Sequence, residues 1–333
     1  MSRNISIVGA SGFLGTRLSK RLNENKINHN IYDISFPRES KNFIDVEDID
    51  SLDNLKNSSS IINLAAIHRD DIKPLSRYDD VNVNGAVNIC ECARKFGINK
   101  IIFTSSVAIY GFAPKNTGED GEANYFNDYG RTKYEAELVY KKWQKEDPSK
   151  RSLVIIRPTV IFGEGNRGNV YNLLNQINQK RFIMVGNGTN IKSMAYVENV
   201  AAFLEHAIKK SEGIHIFNYV DKPDLDMNNL IKLVRKTLFN KNNVGVRLPV
   251  HIGLLLGYIA DFISILIRKS LPISSIRVKK FVSDTMFSSK IDDTNFKPPF
   301  NLTDGLINTI KYEFLEDNKH KKRFYTEWLI LKK

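Results

Sequence analysis

The feature that most narrowly limits what this chain can fold into is an apolar run that turns abruptly on glycine. Residues 5–8 are followed at once by Gly9-Ala10-Ser11-Gly12-Phe13-Leu14-Gly15, and a helical pattern then runs to about Asn25. Glycine at these three places lets the backbone turn tightly and lets helix N-terminal N–H groups approach a pyrophosphate. Taken alone the pattern is weak. Its setting is specific, however: strand before, helix after, and Asp33 ending the next strand 18 residues beyond Gly15. A carboxylate there accepts hydrogen bonds from the adenosine ribose and repels a 2′-phosphate, which favours NAD over NADP.

The alternation continues. Apolar stretches at 29–34, 60–65, 100–105 and 153–156 predict strands, with helical patterns at 81–96 and 129–145. Continuously apolar strands separated by helices predict a parallel α/β sheet covered on both faces. After about residue 157 a short strand at 214–219 mixes with helices at 199–209, 228–239 and 304–314. The expected organisation is a Rossmann-type, doubly wound NAD-binding domain over 1–165, with later segments such as 190–220 interleaved. A smaller mixed α/β substrate lobe then covers 166–333, and clefts between such lobes are common ligand sites.

Bulk properties narrow the partners less. A formal charge of +12 suits nucleic acid, an anionic membrane surface or an anionic substrate alike. Given the dinucleotide motif, no nucleic-acid partner is expected. Cys90 and Cys92 are the only cysteines, and their spacing on a helix supports neither a disulfide framework nor a metal site. The chain enters its first strand without a secretory leader, so a cytoplasmic location is expected.

The candidate chemistry lies in Tyr129-Gly130-Arg131-Thr132-Lys133, where a phenol and an ammonium stand one helical turn apart. A free phenol, with pKa near ~10, is a poor base at neutral pH, and a neighbouring cation makes it a better one. Thr104-Ser105-Ser106 closes the preceding strand, at the sheet edge where such folds place their chemistry. Ser106 is thus a candidate to hydrogen-bond a reacting hydroxyl and pass its proton toward Tyr129.

Together, Gly9, Gly12, Gly15, Asp33, Ser106, Tyr129 and Lys133 resemble the extended short-chain dehydrogenase/reductase superfamily, which includes sugar epimerases and dehydratases. The resemblance implies NAD as cofactor and adds Phe13, Leu14, Asp45, Val46, Leu64, Ala65, Ala66, Asn82, Pro158 and Val160 to the cofactor site. Dehydratases of that superfamily carry an Asp-Glu pair directly after the catalytic Ser or Thr. Val107-Ala108 stands here, which argues against dehydration and leaves epimerase and 4-keto reductase open, with Asp33 favouring the epimerase.

For the substrate, Gly168-Asn169-Val170 opens a helix and suits a phosphate oxygen. By the same resemblance Asn169 and Val170 match the diphosphate contact of sugar-nucleotide epimerases. Lys192 stands where those enzymes carry an arginine, and Arg277 completes the implied substrate set. Longer strings resemble one branch more closely: 65–71, 157–163, 167–174 and 275–281. That branch epimerises N-acetylglucosamine linked to undecaprenyl diphosphate, in O-antigen synthesis. A lipid-linked substrate is implied, with a soluble UDP-sugar as the alternative.

The stretch 249–268 is long and apolar enough to tempt a transmembrane reading, but Asp261 lies in its middle. Gly253, Gly257, Asp261, Ser264 and Arg268 form one narrow stripe at helical spacing. Together with Lys269, Lys279, Lys280 and the basic, apolar run at 321–333, this suggests a helix lying in the inner face of the cytoplasmic membrane, its polar stripe outward. A homodimer is a further expectation.

Overall fold

The computed structural model describes residues 4–69, 72–267, 274–318 and 320–324. Asp70 and Asp71 of the resembling string, Arg268, Lys269 and the run 325–333 lie outside the described residues.

The predicted parallel sheet forms. Its six strands lie in the order Gly213–Tyr219, Ser152–Pro158, Lys100–Thr104, Ser58–Asn63, Asn4–Val8, His29–Tyr32, and every pairing is parallel. From the first strand the chain goes to one side for the second and to the other for the third. That reversal opens a crevice beyond the strand ends at Val8 and Asn63, where doubly wound sheets take ligands. The line of strands ends in a parallel bridge from Asp33 to Phe43.

Alternation along the strands explains the two-faced core. Ile101, Phe103, Leu153 and Ile155 pack on one face with Ile89, Cys90 and Ala93 of the helix Gly85–Phe96 and with Ala136, Tyr140 and Trp143 of the helix Asp128–Lys145. Their neighbours Ile102, Val154 and Ile156 pack on the other. Leu14, Leu18 and Leu22 of the helix Phe13–Glu24 meet that face, as do Val200, Phe203 and Leu204 of the helix Val197–Ala207. Both cysteines are buried, and burial pushes their thiols up to about 12, which makes them packing residues. The helix 81–96 of the sequence reading begins earlier, at Ser76, and contains a π-helical turn over Asp79–Asn84.

Beyond the sheet, three short strand pairs join Val160–Phe162 to Met194–Tyr196, Ile191–Lys192 to Leu225–Asp226, and Met184–Val185 to Arg247–Leu248. The helices Asn169–Asn178, Met227–Phe239, Val250–Ile267 and Ser275–Val282 also lie in this half of the chain.

The apolar helix overturns one expectation. Its polar stripe faces the protein, not outward. Gly253 and Gly257 are its buried residues, and a Cβ on Gly257 would lie 2.8 Å from the Ser275 backbone. Asp261 accepts a hydrogen bond from Ser275 N at 3.1 Å. The bulky residues point away: Leu255, Phe262, Ile265 and Leu266 are 59%, 63%, 75% and 66% exposed. Small residues let the two helix backbones approach closely, so this is the face that packs best on the body of the protein. Only 11% of the helix is buried.

Candidate active site

The glycine loop and Asp33 come together at the crevice. Gly9 adopts φ +83°, and a Cβ there would lie 2.7 Å from Ala65 N; at Gly15 it would lie 2.4 Å from Gly9 O. Only glycine lets the first turn of the helix close over the strand end while Leu64 and Ala65 pass alongside. Asp33 uses both carboxylate oxygens, accepting from Ser11 N and Ser35 N at 2.9 Å each. Its position beside the loop is therefore fixed before any ribose arrives. Asp45 accepts from Glu47 N at 3.0 Å, and burial raises its carboxyl above the usual range. Val46 is buried against Gly85, where a Cβ would meet its methyl at 2.8 Å.

Asn82 sits in the π-helical turn. Its amide accepts from Ile67 N at 2.9 Å and donates to Ile67 O and Thr132 Oγ1 at 3.0 Å each. The side chain thus ties the 64–67 segment to the Tyr129 helix and acts on the site through them. Pro158 ends a fully buried strand, and Val160 emerges 38% exposed just beyond it.

Three features fix the Tyr129 helix, and one of them sets it against the Ser106 turn. Asn127 caps the helix Asp128–Lys145, accepting from Gly130 N at 2.9 Å. Gly130 allows close approach, since a Cβ there would lie 2.5 Å from Ala108 O. Arg131 forks onto Asp79 at 2.8 and 2.9 Å. Ser106 opens the 3-10 turn Val107–Tyr110, its Oγ accepting from Ala108 N at 3.1 Å, which leaves the hydroxyl proton to be donated.

Lys133 lies one turn beyond Tyr129, almost wholly buried, with its ammonium 4.2 Å from the Phe103 ring centroid. Burial pulls it down to about 7, against the opposing pull of Glu137. No hydrogen bond to this ammonium is found among the described residues. A buried ammonium without acceptors fits a ligand that brings hydroxyls, and Asp33 beside the glycine loop suits a dinucleotide.

The burial has a thermodynamic consequence. The unfolded chain holds this proton up to about pH 10.5, the folded one only to about 7. Wild-type stability therefore rises with pH across that window. NAD-free Lys133→Met is expected to melt roughly 3 °C or more above wild type at pH 7. The gain should shrink as the pH approaches 10.5, and thermal denaturation at several pH values checks it.

Beneath the site lies a polar network whose members are dispersed in sequence. Glu137 pairs with Arg157 at 2.6 and 2.8 Å and accepts from Ser105 Oγ at 2.6 Å. Burial pushes the Glu137 carboxyl up, but Arg157 and Ser105 overcome this and hold it low. Arg157 also donates to Tyr110 Oη at 2.6 Å, and Tyr110 donates to Asn218 Oδ1 at 2.8 Å. Glu137 falls one turn after Lys133, the one signal by which spacing alone could have found it.

On the substrate side, Asn169 is exposed at the N-terminus of the helix Asn169–Asn178, with Val170 buried behind it. Arg277 is exposed in the first turn of Ser275–Val282. Lys192 is placed differently from a free phosphate ligand. Its ammonium donates to Lys280 O and Ser283 O at 2.8 and 2.5 Å, and burial pulls it down to about 8. It holds the C-terminal end of the helix that carries Arg277. At the opposite side Lys322 Nζ donates to Ser11 O at 3.0 Å and Phe324 packs 5.5 Å from Phe13, contacts across the glycine loop that no local motif signals.

This arrangement has counterparts. The profile of the NAD dependent epimerase/dehydratase family matches residues 5–219. The N-acetyl-alpha-D-glucosaminyl-diphospho-ditrans,octacis-undecaprenol 4-epimerase of Escherichia coli O157:H7 is 45% identical over 98% of this chain and all of its own. A UDP-glucose 4-epimerase of Vibrio cholerae is 27% identical over 76% of this chain and 80% of its own. Among solved structures, UDP-glucose 4-epimerase of Thermotoga maritima superposes with a TM-score of 0.72 at 20% identity, over 94% of this chain and 100% of that one. With a dinucleotide crevice, a Ser-Tyr-Lys set on the adjoining strand end and helix, and a relative matching along nearly its whole length, the chain belongs to the NAD dependent epimerase/dehydratase family.

Proposed function

We propose that the protein is an NAD-dependent 4-epimerase acting on N-acetylglucosamine joined through a diphosphate to undecaprenol, converting it to the N-acetylgalactosamine form. The observation that carries this reading is the near-full-length relative with that substrate in its name. In this reading residues 1–165 hold NAD and 166–333 mainly hold substrate.

The residues divide the work as follows. Gly9, Gly12, Phe13, Leu14 and Gly15 present the helix N-terminus to the pyrophosphate. Asp33 receives the adenosine ribose, Asp45 and Val46 flank the adenine, and Leu64, Ala65 and Ala66 pass beside the cofactor with Asn82 bracing them. Pro158 and Val160 lie toward the nicotinamide amide. Bound NAD supplies a reversible hydride acceptor for the sugar C4. Tyr129, as phenolate, takes the C4 hydroxyl proton while Ser106 hydrogen-bonds the same oxygen, and Lys133 favours the phenolate through its charge. The resulting 4-keto sugar turns over in the cleft. Tyr129 would then return the proton to the C4 oxygen once the ring has presented its opposite face. Asn169, Val170 and Arg277 receive the diphosphate, and Lys192 positions the helix bearing Arg277.

The same reading docks the protein on the inner face of the bacterial cytoplasmic membrane through the outward side of Val250–Ile267, with a homodimer as the expected assembly. The test offers purified enzyme undecaprenyl-diphosphate-linked and UDP-linked N-acetylglucosamine without added cofactor, and identifies the sugar. Turnover of the lipid-linked substrate is expected. Turnover of the UDP-sugar alone, or a requirement for stoichiometric NADPH, overturns the reading. NAD is also expected to copurify and to bind about tenfold or more tightly than NADP by calorimetry, because Asp33 would lose its ribose contact and face a phosphate. Equal affinities would refute the role given to Asp33.

A further inference from the structure

We infer that Phe112 and Phe126, an exposed aromatic pair at the lip of the catalytic cleft, form the subsite for the isoprenoid chain of the substrate where it leaves the diphosphate. This rests on the lipid-linked reading above and gives it a place on the surface.

Water is a poor environment for these rings. Phe112 is 56% and Phe126 47% exposed, yet their centroids lie 5.2 Å apart. Each follows or precedes a catalytic segment. Phe112 comes directly after the turn that Ser106 caps, separated from it by Gly111, and Phe126 precedes Asn127, the cap of the Tyr129 helix. The two segments are clamped together. Asn124 N donates to Ile109 O at 2.9 Å. Gly111, at φ +60°, leaves no room for a Cβ, which would lie 1.9 Å from Asn124 O. The pair is therefore a fixed apolar platform beside the reacting groups, not a loose loop tip.

Charge then points to the occupant. Lys280 Nζ stands 4.4 Å from the Phe126 ring centroid, and Lys279 Nζ stands 5.6 Å from that of Tyr258. Tyr258 belongs to the outward face of Val250–Ile267 and is 51% exposed. From the catalytic helix, the surface thus runs through the aromatic pair and two ammoniums onto an apolar helix. Lys280 stands beside the rings, so a diphosphate reaching from Arg277 to Lys280 would leave the first isoprene units over Phe126 and Phe112 and the rest of the chain along the helix. A uridine would use the cations but would leave the apolar helix face uncovered.

The experiment compares N-acetylglucosamine diphosphates carried on an undecaprenyl chain and, as the short one, on a single methyl group, with wild type, F112S/F126S and F126L. The ratio of kcat/KM for the long chain over the short one is expected to fall about tenfold in F112S/F126S and to stay near wild type in F126L. NAD content and liposome co-sedimentation should be unchanged, which separates this subsite from membrane docking and from misfolding. If wild type turns over the undecaprenyl substrate and F112S/F126S keeps the wild-type ratio, the subsite is refuted while the functional reading stands. If wild type does not turn over that substrate at all, the functional reading falls and the subsite with it.

Discussion

Tyr129→Phe is expected to lower turnover by at least about 10²-fold, the usual span of general acid–base catalysis, while leaving fold and NAD content intact. The substitution removes only an oxygen. The helix Asp128–Lys145 keeps its Asn127 cap, its close approach at Gly130 and its Arg131–Asp79 fork, none of which uses the phenol. No other residue assigned to the site replaces it. Ser106 has no neighbouring base of its own among the described contacts, and Lys133, though its ammonium is drawn down to about 7, is almost wholly buried. A loss confined to kcat, with bound NAD unchanged by absorbance after denaturation, supports the assignment. Wild-type turnover in the variant would remove Tyr129 from the chemistry.

The parts of the site legible in the sequence are those built from neighbours in the chain. The glycine loop, Asp33 at a strand end, and Tyr129 with Lys133 one turn apart each follow from local geometry, and Asp33 lies against the loop through Ser11 N. Contacts between distant segments left no such trace. Glu137 and Arg157 lie 20 residues apart, and Asn82 reaches Thr132 across 50. Nothing in their local spacing selects one partner over another. Lys192 shows a different limit. Its position matches that of a phosphate-binding arginine, but an ammonium is a compact point charge, and here it is held by two carbonyl oxygens at the end of a neighbouring helix. Periodicity likewise gave the stripe Gly253, Gly257, Asp261, Ser264, but the outward orientation expected of it is reversed in the structure. For a helix with the protein on one side and an apolar medium on the other, the usual rule of polar outward reverses, because small residues pack backbone against backbone and large apolar ones meet the medium.

That reversal leads to the second large effect. Leu255, Ile259 and Phe262 lie at spacings of four and three on the face opposite Gly253 and Gly257, and are 59%, 46% and 63% exposed. Moving them from water into a lipid interface gains roughly 1 kcal/mol each, since about half of each side chain is already covered. Lys279 and Arg277, exposed on the adjoining helix, each add up to about 1 kcal/mol on an anionic surface, weakened by salt. Asp261 argues for docking over crossing, because its carboxylate is held on Ser275 N at the body of the protein. The wild-type protein is therefore expected to sediment with anionic liposomes at low salt. Changing Leu255, Ile259 and Phe262 together to Ser removes about 3 kcal/mol, which corresponds to a fall in partition coefficient of about 10²-fold. Activity on an undecaprenyl-linked substrate presented in vesicles should drop in step, and activity on a water-soluble short-chain analogue should drop much less. A wild-type protein that stays in the supernatant at low salt would show that something other than a bilayer covers this face.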